Sequence, residues 1–149
     1  MKHLWLCASA AGALAVVVSN LWAMPRFKKE FDTRWIDKNT DADFKETAKK
    51  QSCNICHVKG KPKATHNDFG KALEELIPGS AKARLDAASG MGDEAKEAET
   101  NKLVEEFKSA LEKVERVKAA DGSTYGDRLK SHKLPVDPPA DGGDEPAVE

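Results

Sequence analysis

One run of apolar residues at spacings of three and four constrains the fold of this chain more than any other part of its sequence. The run predicts an amphipathic helix over about residues 100–120, which Gly122 closes. Nowhere do apolar and polar residues alternate over the length of a strand, so we expect an all-α domain. The apolar face of the long helix consists of Leu103, Phe107, Leu111, Val114 and Val117.

Shorter helical segments precede and follow this helix. Asp41 is a predicted N-cap, and the helix that it starts ends at a pair of cysteines. Asn67 is a predicted N-cap for the next helix, which Pro78 and Gly79 end. The SAKARLDAA segment predicts a further short helix, and SGMGD predicts a break. Other apolar residues predicted to reach the core are Phe27, Phe31 and Trp35 near the start and Tyr125, Leu129 and Leu134 near the end.

The two ends of the chain differ from this body. Residues 1–23 have a basic start, an apolar run and a small residue at the end, as a secretory signal peptide does. An uncleaved membrane anchor is the alternative, because the apolar run is nearly long enough to span a bilayer. Residues 135–149 are rich in proline, glycine and acid, which predicts a disordered tail. The predicted domain is therefore residues 24–134 of an exported protein.

Two cysteines, Cys53 and Cys56, remain when the signal segment is set aside. A single pair does not make a disulfide-stapled scaffold, which has several pairs spread along the chain. His57 follows the second cysteine directly, giving the motif CNICH. The two thiols therefore serve either redox chemistry or the binding of a metal or cofactor.

Covalent haem attachment explains this motif better than a redox dithiol or a zinc site does. CxxCH is the attachment signature of c-type haem, in which each thiol adds to a vinyl group and the histidine is the proximal ligand. A thioredoxin-like dithiol lies at a helix N-terminus on a βαβ scaffold, whereas CNICH follows a predicted helix. Zinc needs four ligands, and there is no second CxxC. The histidines that could complete a zinc site are His57, His66 and His132.

CNICH, the helix before it and the long amphipathic helix resemble a small exported bacterial monohaem cytochrome c over about residues 26–134. The segment NDFGKALEEL, residues 67–76, is similar to the segment that follows the haem motif in some exported proteins with a cytochrome c domain. The resemblance implies an all-α, cytochrome c-like domain around one haem c. It implies that Cys53 and Cys56 hold the haem covalently and that His57 is the proximal ligand of the iron. The implied function is one-electron transfer in the periplasm, by a carrier rather than an enzyme.

The ligand on the other face of the iron has several candidates. In this family it is usually a methionine, and Met91 and His66 are the first candidates, followed by His132 and Met24. Without a protein ligand the distal site would be open, as in a peroxidase-like haem enzyme or a sensor of NO or CO. That is the alternative function, and a thiol-disulfide oxidoreductase is a third. The side chains predicted to line the haem are Phe44, Phe69, Phe107 and Leu111.

Lysines are concentrated on both sides of the motif, where only Glu46 and Asp68 oppose them. A basic rim of this kind would steer acidic redox partners, although a solvated surface explains it equally well. Aromatic residues do not alternate with the lysines, so we expect no binding of nucleic acid. Membrane contact would require that the N-terminal segment is retained. The lysines are Lys45, Lys49, Lys50, Lys59, Lys61, Lys63 and Lys71.

Overall fold

The structure is a computed structural model that describes residues 23–137, and within this range it contains helices and turns but no strand. The predicted all-α class is confirmed. None of the helices in the described range is long and apolar enough to cross a membrane. The predicted signal segment up to residue 22, and the tail from residue 138 onwards, lie outside the described residues. The helices are α1 (Ala23–Phe31), α2 (Ala42–Gln51), α3 (Asp68–Leu76), α4 (Ala81–Gly90), α5 (Asp93–Val114) and α6 (Tyr125–Lys130).

The helices on either side of the motif begin at the caps that the sequence predicts. A carboxylate oxygen of Asp41 accepts a hydrogen bond from the amide of Phe44 at 2.7 Å, at the start of α2. Oδ1 of Asn67 accepts one from the amide of Gly70 at 2.9 Å, at the start of α3. Each cap satisfies an amide that has no partner within its own helix. The two caps fix where the helix before the motif and the helix after it begin.

The long helix α5 is displaced from its predicted position. It begins at Asp93 and ends at Val114, instead of spanning about 100–120. Its start follows Gly92, whose φ of +114° favours glycine. Val117 lies beyond the helix, where its carbonyl oxygen accepts a hydrogen bond from the amide of Tyr125 at 3.0 Å. The apolar period continues past the end of α5 because this turn packs against the same core.

The core lies where α1 and α3 pack against α5, and aromatic rings fill its centre. The ring of Phe31 meets the edge of Phe69 at 5.9 Å between centroids, and Phe69 meets Tyr125 at 4.9 Å. Trp35 lies on a π-helical turn, Asp32–Ile36, that continues α1, and its ring contacts Phe31. The predicted aromatic stripe of the first segment therefore reaches the core. Full burial of a large apolar side chain contributes about 1.5–3 kcal/mol, so this cluster is a main source of stability.

A buried arginine fastens the C-terminal end of the described chain. Arg128 is 6% exposed, and its guanidinium donates to the carbonyl oxygen of Leu134 at 2.9 Å. It also donates to the carboxylates of Asp121 and Asp137. Pro135 is buried and Val136 packs against the core. Residues 135–137, which the sequence places in the tail, thus lie against the body because Asp137 is a partner of the buried cation.

Arg128→Met is expected to lower the free energy of unfolding by about 1–3 kcal/mol, because the carbonyl of Leu134 loses its donor. Lys130→Met is the matched control, since it removes an exposed cation from the same helix. We expect the control to change stability by less than about 0.5 kcal/mol. Urea unfolding measures both values. Equal effects of the two variants would contradict the role given to Arg128.

Candidate functional site

The motif occupies a tight turn at the end of α2. A 3₁₀ turn, Ser52–Ile55, follows the helix directly, and Ser52 has a φ of +46° that redirects the chain. The amides of Cys56 and His57 both donate to the carbonyl oxygen of Cys53, at 3.2 and 3.1 Å. Both cysteines and the histidine are therefore carried by one hydrogen-bonded turn. The predicted helix leading into the motif is present.

The two cysteines are free thiols in different surroundings. Cys53 is exposed, whereas Cys56 is half-buried and packs against the hydrophobic core. Burial raises the pKa of the Cys56 thiol to about 12, against the smaller opposing effect of Lys28. A thiol with so high a pKa carries almost no thiolate at neutral pH, and the thiolate is the reactive form. Cys56 is therefore not a reactive thiol of the kind that attacks a disulfide in a thiol-disulfide oxidoreductase.

His57 and His66 face each other across an isolated antiparallel bridge. The amides of Val58 and Asn67 donate to backbone carbonyls across the bridge, each at 3.1 Å. These bonds flank the histidine pair, and such non-hydrogen-bonded pairs hold their side chains closest together. The ring centroids are 4.8 Å apart and the rings are tilted by 36°. The segment between them, residues 57–66, forms a closed loop, which we call the histidine loop.

The ring of His57 is neutral and has an unsatisfied nitrogen. Its Nδ1 atom is buried and has no hydrogen-bond partner among the described residues. Burial lowers the pKa of His57, and the nearby charges of His66 and Lys63 lower it further. Hydrogen bonds with the backbone of Lys63 and Thr65 oppose this shift of the pKa. A neutral imidazole keeps a lone pair, which is the form that binds metal ions. Buried polar atoms without a partner are uncommon, so Nδ1 of His57 is a candidate to bind a ligand.

The candidates for the second axial ligand lie in different parts of the fold. Nδ1 of His66 is 2.9 Å from a carboxylate oxygen of Glu74 on α3, and its ring is beside His57. Met91 is 76% exposed in the turn between α4 and α5. The ring of His132 lies 6.2 Å from that of Phe44, and Met24 belongs to the first turn of α1. The structure brings His66 to His57 and places the other candidates on separate elements.

All four predicted lining residues are buried, and two of them are packed by aromatic side chains of the protein itself. Phe69 contacts two core rings, and Phe107 stacks on Phe27 at 4.4 Å between centroids. Cys56 packs against this same cluster. The motif therefore lies against an apolar wall whose side chains are covered by the protein's own packing. The four residues are Phe44, Phe69, Phe107 and Leu111.

A zinc site is not supported by the arrangement of ligands. Within residues 23–137, no group of three or more His, Cys, Asp or Glu side chains is placed to hold a metal ion. The cysteine pair and the histidine pair are thus not assembled into a tetrahedral set. Free thiols, a neutral histidine and an apolar wall fit a covalently attached haem instead.

Several lysines of the basic rim have partners within the protein. Lys50 pairs with Glu46 at 2.7 Å, Lys71 pairs with Asp68 at 3.2 Å, and Nζ of Lys45 donates to a backbone carbonyl. The exposed lysines of the histidine loop lie next to His57 in the chain. They are Lys59, Lys61 and Lys63. The charge of Lys63 reaches His57 and lowers its pKa.

Two residues that contact the motif were not predicted to do so. The sequence gives Asn67 a capping role only, and Gly70 none. Nδ2 of Asn67 donates to the carbonyl oxygens of Asn54 and Ile55, both at 3.0 Å. A Cβ atom on Gly70 would lie 2.1 Å from the carbonyl oxygen of Cys56. The sequence contains a signal for the contact at Gly70, because glycine in the first turns of a helix is unfavourable unless close packing requires it.

The site is thus defined by its own geometry: one turn that carries two free thiols and a neutral histidine beside the core. Comparisons of this chain with protein-family models, with curated proteins and with solved structures found no match.

Proposed function

We propose that this protein is a c-type cytochrome that transfers single electrons between protein partners in the periplasm. One haem c would be held through thioethers at Cys53 and Cys56, with His57 as the proximal ligand. The observation that carries the proposal is the turn of the motif, which presents two free thiols and the neutral, unsatisfied ring of His57 together. The haem supplies the Fe(III)/Fe(II) couple when it is bound.

The residues around the motif would each contribute a different property. Cys56 anchors the attachment on the core side, where aromatic rings keep the surroundings apolar and water out. The low pKa of His57 keeps its ring unprotonated and able to bind iron at neutral pH. The exposed lysines of the histidine loop provide positive charge at the surface next to the motif. Acidic redox proteins are the partners that such a surface would attract.

A haem enzyme or gas sensor with an open distal site is the second candidate function. The observation that favours it is the position of the proposed distal ligands. Met91 is 76% exposed on a different turn, and His66 lies next to His57 on the same side of the bridge. A haem held by Cys53, Cys56 and His57 would then lack a second ligand from these two side chains. An open position would bind small ligands such as carbon monoxide.

Expression of the full chain in a bacterium that matures c-type cytochromes is expected to give a periplasmic protein with one haem per chain. The haem should stay with the protein after extraction with acidic acetone, because thioether bonds survive it. The measurements are the intact mass and the pyridine haemochrome spectrum. The Cys53→Ala/Cys56→Ala variant is the control and should release any haem on extraction. A folded, exported wild-type protein without covalent haem would contradict the proposal.

Addition of carbon monoxide to the reduced protein separates the two haem functions. An electron carrier with two protein ligands should keep its spectrum, because both axial positions are occupied. A protein with an open distal site should show a shifted Soret band at micromolar carbon monoxide. His66→Ala and Met91→Ala then serve as a pair, since the one that creates carbon monoxide binding identifies the distal ligand.

A further inference from the structure

We infer that Asn67 is a positioning residue that holds the CNICH turn in the shape needed for attachment through both thiols. The inference rests on the proposed function, because it concerns how the motif is presented to the haem. It extends that function by assigning a role to a side chain outside the motif. The argument starts from the hydrogen bonds of one amide group.

The side chain of Asn67 connects the start of α3 to the motif. Its Oδ1 atom accepts a hydrogen bond from the amide of Gly70 at 2.9 Å. Its Nδ2 atom donates to the carbonyl oxygens of Asn54 and Ile55, both at 3.0 Å, and more weakly to that of His57 at 3.5 Å. The orientation of the amide is unambiguous, since a backbone amide only donates and a carbonyl only accepts.

The backbone of Asn67 completes the set of contacts. Its amide donates to the carbonyl oxygen of Cys56 at 3.1 Å. One residue therefore bonds four consecutive carbonyl oxygens, those of residues 54–57. Carbonyls at the end of a helix or turn have no partner within it and must find one elsewhere. For this turn, Asn67 provides those partners.

The bonded carbonyls include those of the two residues that separate the cysteines. Asn54 and Ile55 are the spacer of the motif, and their conformation sets the distance and direction between Cys53 and Cys56. Holding the spacer in its 3₁₀ turn therefore holds the thiols in one relative position. A preorganised pair can react with both vinyl groups of one porphyrin, whereas a loose pair can be left attached through one thiol only.

Asn67→Asp tests this role, because it keeps the cap and removes the two donors. A carboxylate oxygen can still accept from the amide of Gly70. We expect the population of the 3₁₀ turn that carries the spacer to fall roughly fivefold. Water replaces part of what the two donors provided, so their net loss is about that of one hydrogen bond. The fraction of haem bound through a single thioether should rise. That fraction is read from the α band of the pyridine haemochrome, which moves to longer wavelength when one vinyl group stays unreacted.

Ser80→Ala is the matched control, since it removes a side-chain cap at the start of α4. The hydroxyl of Ser80 accepts from the amide of Ala83 at 3.3 Å and does not contact the motif. We expect a loss of stability with no change in the ratio of single to double attachment. Asn67→Ser is a second test variant that keeps a capping oxygen and cannot reach the spacer. It replaces Asn67→Asp if the added charge prevents folding.

Two results would overturn the inference. One is a normal α band in the Asn67 variants, and the other is a change no larger than that of Ser80→Ala. Absence of haem from the wild-type protein would overturn the proposed function but not the hold of Asn67 on the turn. Amide hydrogen exchange of residues 53–57 in the haem-free protein then tests the role of Asn67. Faster exchange in Asn67→Asp than in wild type and Ser80→Ala would support that role, and equal exchange would refute it.

Discussion

In the haem-free, reduced protein, Cys56 is expected to react with iodoacetamide roughly 30-fold more slowly in the folded state than in the unfolded chain. Burial against the core raises the pKa of Cys56 from 9.0 to about 12. A rise of three pKa units reduces the thiolate fraction about 1,000-fold at neutral pH. A more basic thiolate is also a stronger nucleophile, by about 30-fold for this shift, so the net reduction in rate is about 30-fold. The difference in rate therefore measures the burial of Cys56 directly.

The pH dependence of this reaction has a definite sign. Between pH 7 and 10 the rate at Cys56 should rise about tenfold per unit, because the pH stays below a pKa of about 12. The same shift affects stability, since the folded state favours the protonated thiol. The contribution of Cys56 to stability is therefore complete below pH 9.0 and is lost as the pH rises towards about 12.

Single-thiol variants make the measurement clean. With Cys7 also replaced by serine, Cys53→Ser leaves only Cys56 and Cys56→Ser leaves only Cys53, so that no disulfide can form. In urea the two variants should react at similar rates, because unfolding exposes both thiols. A rate at Cys56 in the folded protein equal to its rate in urea would show that Cys56 is not buried. The structural reason for the low reactivity of Cys56 would then fail, since it depends on the high pKa of that residue.

Local chemistry made much of this fold predictable. Asp41 and Asn67 were recognised as caps because a short polar side chain before an apolar period satisfies nearby amides. The ends of α5 were not recognised. Its first turns are polar and leave no apolar period, and its last turn stops before Glu115, whose carbonyl oxygen accepts from the amide of Gly126 at 3.0 Å. That contact is tertiary, and periodicity does not show it.

The motif could be identified from spacing, whereas its surroundings could not. CNICH is contiguous in sequence, so its chemistry is visible without a structure. The pairing of His57 with His66 requires the closure of a loop, and the bonds of Asn67 reach back 12 and 13 residues to the spacer. The burial of Cys56 depends on where the core packs. These features follow from the way α3 approaches the motif, which no local pattern specifies.

Gly70→Ala is expected to disrupt the site, because it has the shortest Cβ contact of the glycines in the described range. The added Cβ would lie 2.1 Å from the carbonyl oxygen of Cys56 and 3.1 Å from Cβ of His66. Neither contact can be relieved by a flexible side chain, so α3 and the motif must separate. We expect a loss of about 3 kcal/mol in the free energy of unfolding, at the upper end of overpacking effects. Covalent haem per chain should fall severalfold.

Helix propensity predicts the opposite sign for Gly70→Ala, which makes the result decisive. Alanine in place of glycine within a helix normally stabilises by about 0.8–1.0 kcal/mol. Gly90→Ala should show that ordinary gain or be neutral, because a Cβ at Gly90 meets nothing within 4 Å. Gly126→Ala is the control for a clash elsewhere, since its Cβ would lie 2.8 Å from the carbonyl oxygen of Glu115. It should reduce stability in urea unfolding and leave the haem content of the folded fraction unchanged. If Gly70→Ala behaved like Gly90→Ala, α3 would not lie against the motif, and the geometry assigned to the CNICH turn would be wrong.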